Sequence, residues 1–241
     1  KSNLGKHSQS HHMPILSQRF KRIKSVLNRR MSNLTILIEN VEKPHNLSAI
    51  LRTCDAVGVL EAHAIFNQDT IPTFNSTAQG SQKWVKLKKH KNIEMAIKSL
   101  KRKGFRLYGT SLNDNAKDYR LLDYRQPTAF LMGAEKWGLS NIALESVDES
   151  IFIPMRGMVQ SLNVSVASAT LLFEALRQRE HYGVIPTEGE GLSKTLYEQT
   201  LFEWSYPEVA EWYKNEGRLY PKLGENGEIL DDLPRTIKFK C

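Results

Sequence analysis

Short runs of apolar and β-branched residues alternate along the chain with longer segments in which apolar residues recur every three or four positions. The runs predict strands at residues 34–39, 62–66, 84–87, 105–110, 128–132 and 150–153. The periodic segments predict helices at residues 46–57, 93–103 and 162–180. Strands separated by helices are typical of an α/β fold, in which a parallel sheet has helices on both faces. Ligands of such sheets bind at the carboxyl ends of the strands.

The two ends of the chain follow other patterns. Near the N-terminus, apolar residues recur at helical spacing with basic residues between them, which predicts an amphipathic helix; they are Leu16, Phe20, Ile23 and Leu27. Near the C-terminus, Ser205-Tyr206-Pro207-Glu208 predicts a capping box with proline in the first helical turn. The neighbouring Trp204, Trp212 and Tyr213 need an apolar surface on which to pack.

These patterns divide the chain into three predicted regions. Residues 1–30 form a basic N-terminal extension, residues 31–182 form the main α/β domain, and residues 183–241 form a helical C-terminal extension. The total of 241 residues is enough for one large domain with short extensions.

The charge is distributed unevenly among these three regions. The net charge is +8, and residues 1–30 contain eight Lys or Arg and no acidic residue, which leaves 26 basic and 26 acidic residues elsewhere. A second basic cluster, at residues 83–106, has Glu94 as its only acid. A charge run is often only a solvated face, but two of them favour a polyanion such as nucleic acid.

Several classes of protein are disfavoured. No apolar run approaches the roughly 20 residues that span a bilayer, and the N-terminus lacks the apolar core of a signal peptide. The two cysteines, Cys54 and Cys241, are far apart and lack metal-ligand spacing, so we expect neither a disulfide framework nor a metal site. These features predict a cytoplasmic protein without a membrane segment.

The usual nucleotide-binding motifs and the Gly-x-Ser-x-Gly nucleophile elbow are missing from the sequence. Two other segments follow predicted strands. Residues 43–53 contain Asn46, which could simply cap a helix. They also contain Arg52, which is either an exposed cation on the helix or a guanidinium that binds phosphate or carboxylate through its planar, forked donors. Residues 130–140 contain a Gly-x-Glu-x-x-Gly turn in which Gly133 would let the backbone approach a ligand.

A third segment, residues 153–169, has an apolar run that ends at proline, then a polar turn, then a helix that opens with small residues. Ser161 and Asn163 offer side-chain hydrogen bonds at the start of this helix. Small residues let another backbone approach closely, so this pattern predicts a backbone-lined pocket beside a tightly packed helix.

In this order and spacing, the three segments resemble the signature motifs of the SPOUT superfamily of RNA methyltransferases, in its TrmH-like branch. The resemblance extends from about residue 16 to about residue 235. The C-terminal part resembles the members that methylate the 2′-oxygen of guanosine 18 in the tRNA D-loop, at residues 201–203, 206–207, 220–221 and 227–229. Trp137 and Arg156 stand at positions that vary in the family.

The resemblance implies a SPOUT-type fold with a C-terminal trefoil knot, S-adenosylmethionine as the cofactor, tRNA as the substrate and a homodimer. The cofactor pocket is implied to be lined, largely through backbone groups, by Thr110, Gly133, Ile153 and Leu162. The catalytic residues are implied to be Arg52, Asn46, Glu135, Ser161 and Asn163. RNA contacts are implied for Arg19, Arg22, Arg177 and Arg179.

A guanidinium stays protonated up to a pH of about 12, so Arg52 is poorly suited to act as a base. We expect it to stabilise the developing alkoxide, or to orient a substrate phosphate that takes the proton. Arg177 and Arg179 could instead be exposed cations, which the dipole favours at a helix end.

Three rival functions stay open from the sequence. One is 2′-O-methylation of rRNA or of the tRNA wobble position, against which the C-terminal extension counts. Another is a non-catalytic RNA-binding protein on the same scaffold, which the presence of Arg52, Glu135, Ser161 and Asn163 disfavours. The third is a small-molecule α/β enzyme, which explains neither the basic extension nor the signature motifs.

Overall fold

A computed structural model describes residue 15 and residues 17–40, 43–65, 83–134, 137–187, 189–234 and 237. The strands within these ranges are β1 (Leu34–Ile38), β2 (Glu61–Ile65), β3 (Lys86–His90), β4 (Arg106–Thr110), β5 (Lys117–Asp118), β6 (Thr128–Met132) and β7 (Glu149–Phe152). The helices are α1 (Ser17–Leu27), α2 (Pro44–Val57), α3 (Ile93–Arg102), α4 (Asn141–Ser146), α5 (Val164–His181), α6 (Lys194–Ser205) and α7 (Pro207–Asn215).

The chain divides into two compact units. One unit comprises Arg29–Leu192, and the other combines the described parts of Lys1–Asn28 and Ser193–Cys241. The three-region division drawn from the sequence stays a prediction; in the structure, most of its N-terminal and C-terminal extensions are grouped in the second unit.

The strands of the larger unit form one parallel sheet in the order β3-β2-β1-β6-β4-β7-β5. The predicted parallel α/β fold is therefore confirmed. The chain runs outward from β1 through β2 to β3, and later strands lie on the other side of β1, with β6 inserted between β1 and β4. The direction of the strand order thus changes at β1, which places the carboxyl ends of β4, β6 and β7 side by side.

Helices cover both faces of the sheet, because alternate side chains of each strand point to opposite faces. On one face, Ile36 and Ile38 of β1 join a buried cluster with residues of α2 and α5. On the other face, Leu37 joins a cluster with residues of α3 and α4. All five residues of β1 are buried, as expected for a central strand covered on both sides.

The smaller unit contains the predicted amphipathic helix. Phe20, Ile23 and Leu27 are buried on one side of α1, whereas its basic residues Arg19, Lys21, Arg22 and Lys24 are exposed. Leu16 lies outside the described residues. The C-terminal aromatics are packed as expected: Trp204 and Tyr213 are buried, and the Tyr206 hydroxyl donates a hydrogen bond to the carbonyl of Gly227 at 2.6 Å.

Two local predictions were wrong. The third strand lies at Lys86–His90 rather than 84–87, because it is an edge strand of mostly polar sequence whose half-solvated side chains give no apolar run. The capping box is absent: Ser205 is the last residue of α6, and α7 follows Tyr206 without a side-chain cap. Pro207 does occupy the first helical turn, as predicted.

Arg179 is a buried connection between α5 and the sheet, with 1% of its surface exposed. Its Nε donates to the carbonyl of Tyr124 at 2.9 Å, and its Nη2 donates to the carbonyls of Asn33 and Gln126 at 3.0 and 2.9 Å. Its Nη1 donates to Asn33 Oδ1 at 2.6 Å and contacts Met31 Sδ at 3.5 Å. Burial lowers the pKa of the guanidinium to about 10, which leaves it charged at neutral pH.

Arg30 is a second buried arginine, and it also has a structural role. It is 1% exposed, forms an ion pair with Asp55, and donates to the carbonyls of Asp55 and Val59 at 3.1 Å. The basic N-terminal extension therefore presents fewer cations to a ligand than its composition predicted.

We predict that Arg179→Met destabilises the protein by about 3 kcal/mol or more, because the buried carbonyls that now accept its hydrogen bonds would lose their donors. Urea unfolding measures this loss. The control is Arg177→Met, which removes an exposed cation of the same helix and should have a much smaller effect. Equal, small effects of the two substitutions would contradict the structural role of Arg179.

Candidate active site

A cavity of about 440 Å³ lies at the carboxyl ends of β4, β6 and β7. Each of these strands contributes its last residue to the wall: Thr110, Met132 and Phe152. The loops after the strands and the first turns of α5 complete it. A cavity of this size accommodates a cofactor-sized molecule. It occupies the position at which parallel sheets bind their ligands.

All four residues that the resemblance implied for the cofactor pocket line this one cavity: Thr110, Gly133, Ile153 and Leu162. None of the described residues that line it carries a charge. The Thr110 hydroxyl is committed within the sheet, since it donates to the carbonyl of Leu131 at 3.3 Å. The wall therefore suits a neutral ring held by backbone groups and apolar side chains, as an adenine would be.

Gly133 is required by the close approach of two backbone segments. A Cβ atom at this position would lie 1.9 Å from the carbonyl carbon of Gly138 and 2.2 Å from the amide nitrogen of Leu139. Ala134 and Gly138 exchange two backbone hydrogen bonds, of 3.1 and 2.9 Å. Gly138 has a positive φ of 68°, which favours glycine. The absence of a side chain at Gly133 therefore sets the shape of this wall.

A hydrogen bond connects the first and third motif segments. Asn163 Nδ2 donates to Asn46 Oδ1 at 3.3 Å, and Asn163 Oδ1 accepts the backbone N–H of Ser165 at 2.9 Å as the cap of α5. Asn46 lies inside the first turn of α2 and is 4% exposed; the residue at the cap position of that helix is Lys43. The capping explanation thus holds for Asn163 and fails for Asn46.

The remaining predicted catalytic residues are placed differently. Ser161 lines the cavity, and the part of the chain described here gives its exposed side chain no hydrogen-bond partner. Arg52 is exposed on α2 and does not line the cavity; among the described residues it has neither a hydrogen-bond nor an ion-pair partner. It follows Asn46 by six residues, about 9 Å along the helix axis. Glu135 lies outside the described residues.

The four residues predicted to bind RNA differ in their exposure and in their contacts. Arg19 and Arg22 are exposed on α1. Arg177 is exposed and forms an ion pair with Glu174 at 2.8 Å; its hydrogen bond holds the pKa of that carboxyl below its ordinary value. Arg179 requires a correction, because its buried guanidinium is committed to groups of its own unit. Its burial leaves the guanidinium no access to RNA.

Sequence reasoning missed several residues at this site. Gln160 and the exposed side chains of Leu112 and Trp137 line the cavity. Glu39, directly after β1, is 4% exposed and accepts the backbone N–H of Ser140 at 2.8 Å, which fixes the start of α4. The sequence could have indicated Glu39 by its position, because an acidic residue directly after an apolar strand lies at the ligand-binding edge of a parallel sheet.

A second group of titratable side chains lies on β2 and β3, and its geometry is structural. His63 Nδ1 and His90 Nε2 are 2.9 Å apart, and Glu61 is 3.4 Å from His63. Burial lowers the pKa of His63 to about 4, against the opposing effect of Glu61, so the ring is neutral at neutral pH. Within the described ranges, no group of three His, Cys, Asp or Glu residues could hold a metal ion. No helix there is long and apolar enough to cross a membrane.

We predict that Gly133→Ala weakens the binding of S-adenosylhomocysteine at least a hundredfold, because the new methyl group would force Gly138 and Leu139 out of the wall. Isothermal titration calorimetry measures the affinity, and circular dichroism tests whether the variant is folded. The matched control is Gly157→Ala, whose Cβ meets nothing within 4 Å. Binding by Gly133→Ala at the wild-type affinity would contradict this account of the wall.

Comparison with known proteins identifies the family. The model of the SpoU rRNA Methylase family matches residues 33–173, and the model of its C-terminal region, described as SpoU, rRNA methylase, C-terminal, matches residues 177–232. The tRNA (guanosine(18)-2′-O)-methyltransferase of Thermus thermophilus is 55% identical over 77% of this chain and 95% of its own length. The enzyme of the same name from Escherichia coli is 47% identical over 89% of this chain and 93% of its own.

Solved structures agree with this result. The A. aeolicus TrmH/SpoU tRNA modifying enzyme matches with a TM-score of 0.72 and 39% identity, over 80% of this chain and 97% of that chain. The AdoMet-bound rRNA methyltransferase of Sinorhizobium meliloti matches with a TM-score of 0.56 and 28% identity, over 66% of this chain and 60% of that chain. The chain therefore belongs to the SpoU methylase family, the TrmH-like branch of the SPOUT RNA methyltransferases.

Proposed function

We propose that this chain transfers the methyl group of S-adenosylmethionine to the 2′-oxygen of guanosine 18 in the D-loop of tRNA. The observation that carries the proposal is the cavity at the strand ends, which has no charged residue among its described lining and is lined by every residue that the family pattern assigns to the cofactor. The high identity to enzymes that are named for this reaction supports the choice of tRNA and of guanosine 18.

The walls of the cavity fit the proposed cofactor. Gly133 leaves space that a Cβ would fill, and Ile153 and Leu162 border the same space from the third motif segment. When bound there, S-adenosylmethionine supplies a methyl group on a positively charged sulfur, which is already a strong electrophile. The residues of this chain therefore have to align a ribose hydroxyl with that group and increase its nucleophilicity.

Arg52 is proposed to stabilise the negative charge that develops on the ribose oxygen, either directly or by orienting a substrate phosphate that takes the proton. A guanidinium is suited to this role, since it is always charged and offers several donors in one plane. Its exposure and its lack of a partner among the described residues leave those donors available to an incoming substrate.

Asn46, Glu135, Ser161 and Asn163 are proposed to orient Arg52 and the ribose. The hydrogen bond between Asn163 and Asn46 supports this assignment, because it connects the helix that carries Arg52 to the segment that carries Ser161. Ser161 lines the cavity, and a serine hydroxyl can donate to or accept from the substrate.

The active form is proposed to be a homodimer in the cytoplasm, with the C-terminal part of the SPOUT domain threaded into a trefoil knot. Val166 and Phe173 support an assembly: they are seven residues apart on α5, so they share one helix face, and they are 51% and 50% exposed. Burial of this face against a second copy would remove these two exposed apolar side chains from water.

Arg19 and Arg22 are proposed to hold the tRNA backbone from the exposed side of α1, and Arg177 is proposed to contact RNA from α5. Such contacts position the RNA without identifying the base.

The function is tested by mapping ribose methylation in tRNA and in rRNA after incubation with the protein and S-adenosylmethionine. We expect one new 2′-O-methyl group, at guanosine 18 of tRNA. Methylation only of rRNA or of the wobble nucleotide would favour one of the rival members of the family, and no transfer to any RNA would favour a binding protein.

We predict that Arg52→Lys lowers kcat at least a hundredfold, because a point charge cannot replace the planar fork, a loss of about 3 kcal/mol in transition-state stabilisation. The affinity for S-adenosylhomocysteine should stay unchanged, since Arg52 does not line the cavity. Single-turnover methyl transfer and calorimetry measure the two quantities. The control is Arg102→Lys on the exposed end of α3. Near-full turnover by Arg52→Lys would exclude the proposed role.

We predict that the double variant Arg19→Ala/Arg22→Ala binds tRNA more weakly, and that its log Kd depends less steeply on log salt, by about one unit of slope for each lost phosphate contact. Filter binding over a range of salt concentrations measures the slope. Lys194→Ala/Lys214→Ala removes equal charge from exposed sites of the same unit and is the control. Identical slopes for the wild type and Arg19→Ala/Arg22→Ala would show that α1 does not hold the RNA.

A further inference from the structure

We propose that the exposed lysines of β3 and α3 form a second RNA-binding surface, which holds the phosphate backbone of the substrate beside the nucleotide that enters the cavity. We call it the β3 surface; its residues are Lys86, Lys91, Lys98 and Lys103. This role rests on the proposed function. It accounts for the second basic cluster of the sequence, none of whose members lines the cavity.

The charge of this part of the molecule is strongly one-sided. Residues 86–103 contain eight Lys or Arg and one acidic residue, Glu94, whereas the chain beyond residue 30 has equal numbers of basic and acidic residues. The side chains of Lys86 and Lys103 are 69% and 47% exposed, and the other two lysines of the β3 surface are exposed as well. Such a concentration of exposed cations favours a polyanion as the partner.

The β3 surface reaches the edge of the sheet at which the cavity lies. In the register of the parallel strands, Lys89 pairs with Ala64 of β2, and Ala64 pairs with Ile38 of β1. Ile38 in turn pairs with Met132 of β6, which lines the cavity. Adjacent strands are about 4.8 Å apart, which places Lys89 about 14 Å from Met132. Lys91 follows at the carboxyl end of β3, on the same edge of the sheet.

This position indicates which polyanion is brought to the surface. A ribose that is bound at the cavity belongs to an RNA strand, whose phosphates continue on both sides of it. Contacts to these phosphates would position the RNA and leave the identification of the base to other groups.

The helix α3 extends the surface away from the strand. Its apolar side is buried on the sheet, through Ile93, Ala96, Ile97 and Leu100, and Lys98 is exposed. Asn92, the residue after Lys91, caps the helix by accepting the backbone N–H of Met95 at 2.9 Å. The two lysines therefore lie on the outside of the unit, one before the helix and one in it.

The positive charge of the surface is not neutralised by the protein itself. Lys86 and Lys103 share one carboxylate, that of Glu61, at 3.9 and 3.1 Å. Among the residues that the structure describes, Lys91 and Lys98 have neither a hydrogen-bond nor an ion-pair partner. One of the first two charges and both of the others are thus left for a ligand.

Lysines on an edge strand have another explanation, because they prevent the strand from pairing with a further strand. This explanation covers Lys86, which belongs to β3. It does not cover Lys91 and Lys98, which lie outside the strand. The test therefore uses these two residues.

Wild type and Lys91→Ala/Lys98→Ala are compared for tRNA binding by filter binding over a range of salt concentrations, without S-adenosylmethionine. We expect the variant to bind several-fold more weakly, and the slope of log Kd against log salt to fall by about one unit for each lost phosphate contact. Lys91→Arg/Lys98→Arg keeps both charges and should bind as the wild type does.

The matched control is Lys117→Ala/Arg125→Ala. It removes the same charge from the same unit, at cations that already have carboxylate partners: Glu149 at 2.8 Å and Asp123 at 2.7 Å. Its salt slope should equal that of the wild type. In all of these variants, the affinity for S-adenosylhomocysteine should stay unchanged, since none of the four residues lines the cavity.

Equal slopes for the wild type and Lys91→Ala/Lys98→Ala, or an equal loss in the control, would overturn the inference. Unchanged tRNA binding with new self-association in sedimentation velocity would also overturn it, since the lysines would then only keep copies of the chain apart. A wild type that binds tRNA with the expected dependence on Lys91 and Lys98 but methylates no RNA would instead overturn the proposed function, while the binding surface would stand.

Discussion

The site depends on one close approach, between the backbone of Gly133 at the end of β6 and the backbone of Gly138 and Leu139. This contact is possible only without a Cβ at Gly133. Gly138 contributes a left-handed backbone conformation, and it exchanges two backbone hydrogen bonds with Ala134. The turn shapes one wall of the cavity, presents Trp137 at its edge and leads into α4, whose cap is fixed by the buried Glu39. The absence of a side chain at Gly133 therefore helps to determine both the wall of the cavity and the position at which α4 begins.

Around this turn, the fold brings together elements that are distant in sequence. The hydrogen bond between Asn163 and Asn46 spans 117 residues and joins α5 to α2, whose apolar sides pack in the same core cluster. Arg179 joins the far end of α5 to loops beside the sheet through buried carbonyls. Asn163 caps α5 and bonds to Asn46, which fixes the start of α5 relative to α2. A fixed helix start fits a reaction whose main requirement is alignment of a hydroxyl with a methyl group.

The sequence predicted the central part of the fold well and its margins less well. The strand at Thr128–Met132 is fully buried, so its apolar run marked both of its ends, whereas the edge strand β3 has polar side chains and was misplaced. The residues of the cavity could be named because motif order identified them, not because periodicity did. The sequence could not predict which individual charged side chains are buried. Arg179 has the sequence context of an exposed helix end, and only the loops that fold around it show its structural role. Trp137 gave no signal, since exposure of an aromatic residue is a property of the folded chain.

The central claim is that this cavity, at the carboxyl ends of β4, β6 and β7, holds the methyl donor. The most direct measurement is a crystal structure of the protein with S-adenosylhomocysteine. The account predicts that the adenosine lies between the turn at Gly133 and the segment from Ile153 to Leu162, with the adenine held by backbone groups. Ligand density at any other part of the sheet, or a bound cofactor that leaves Gly133 and Leu162 untouched, would contradict it.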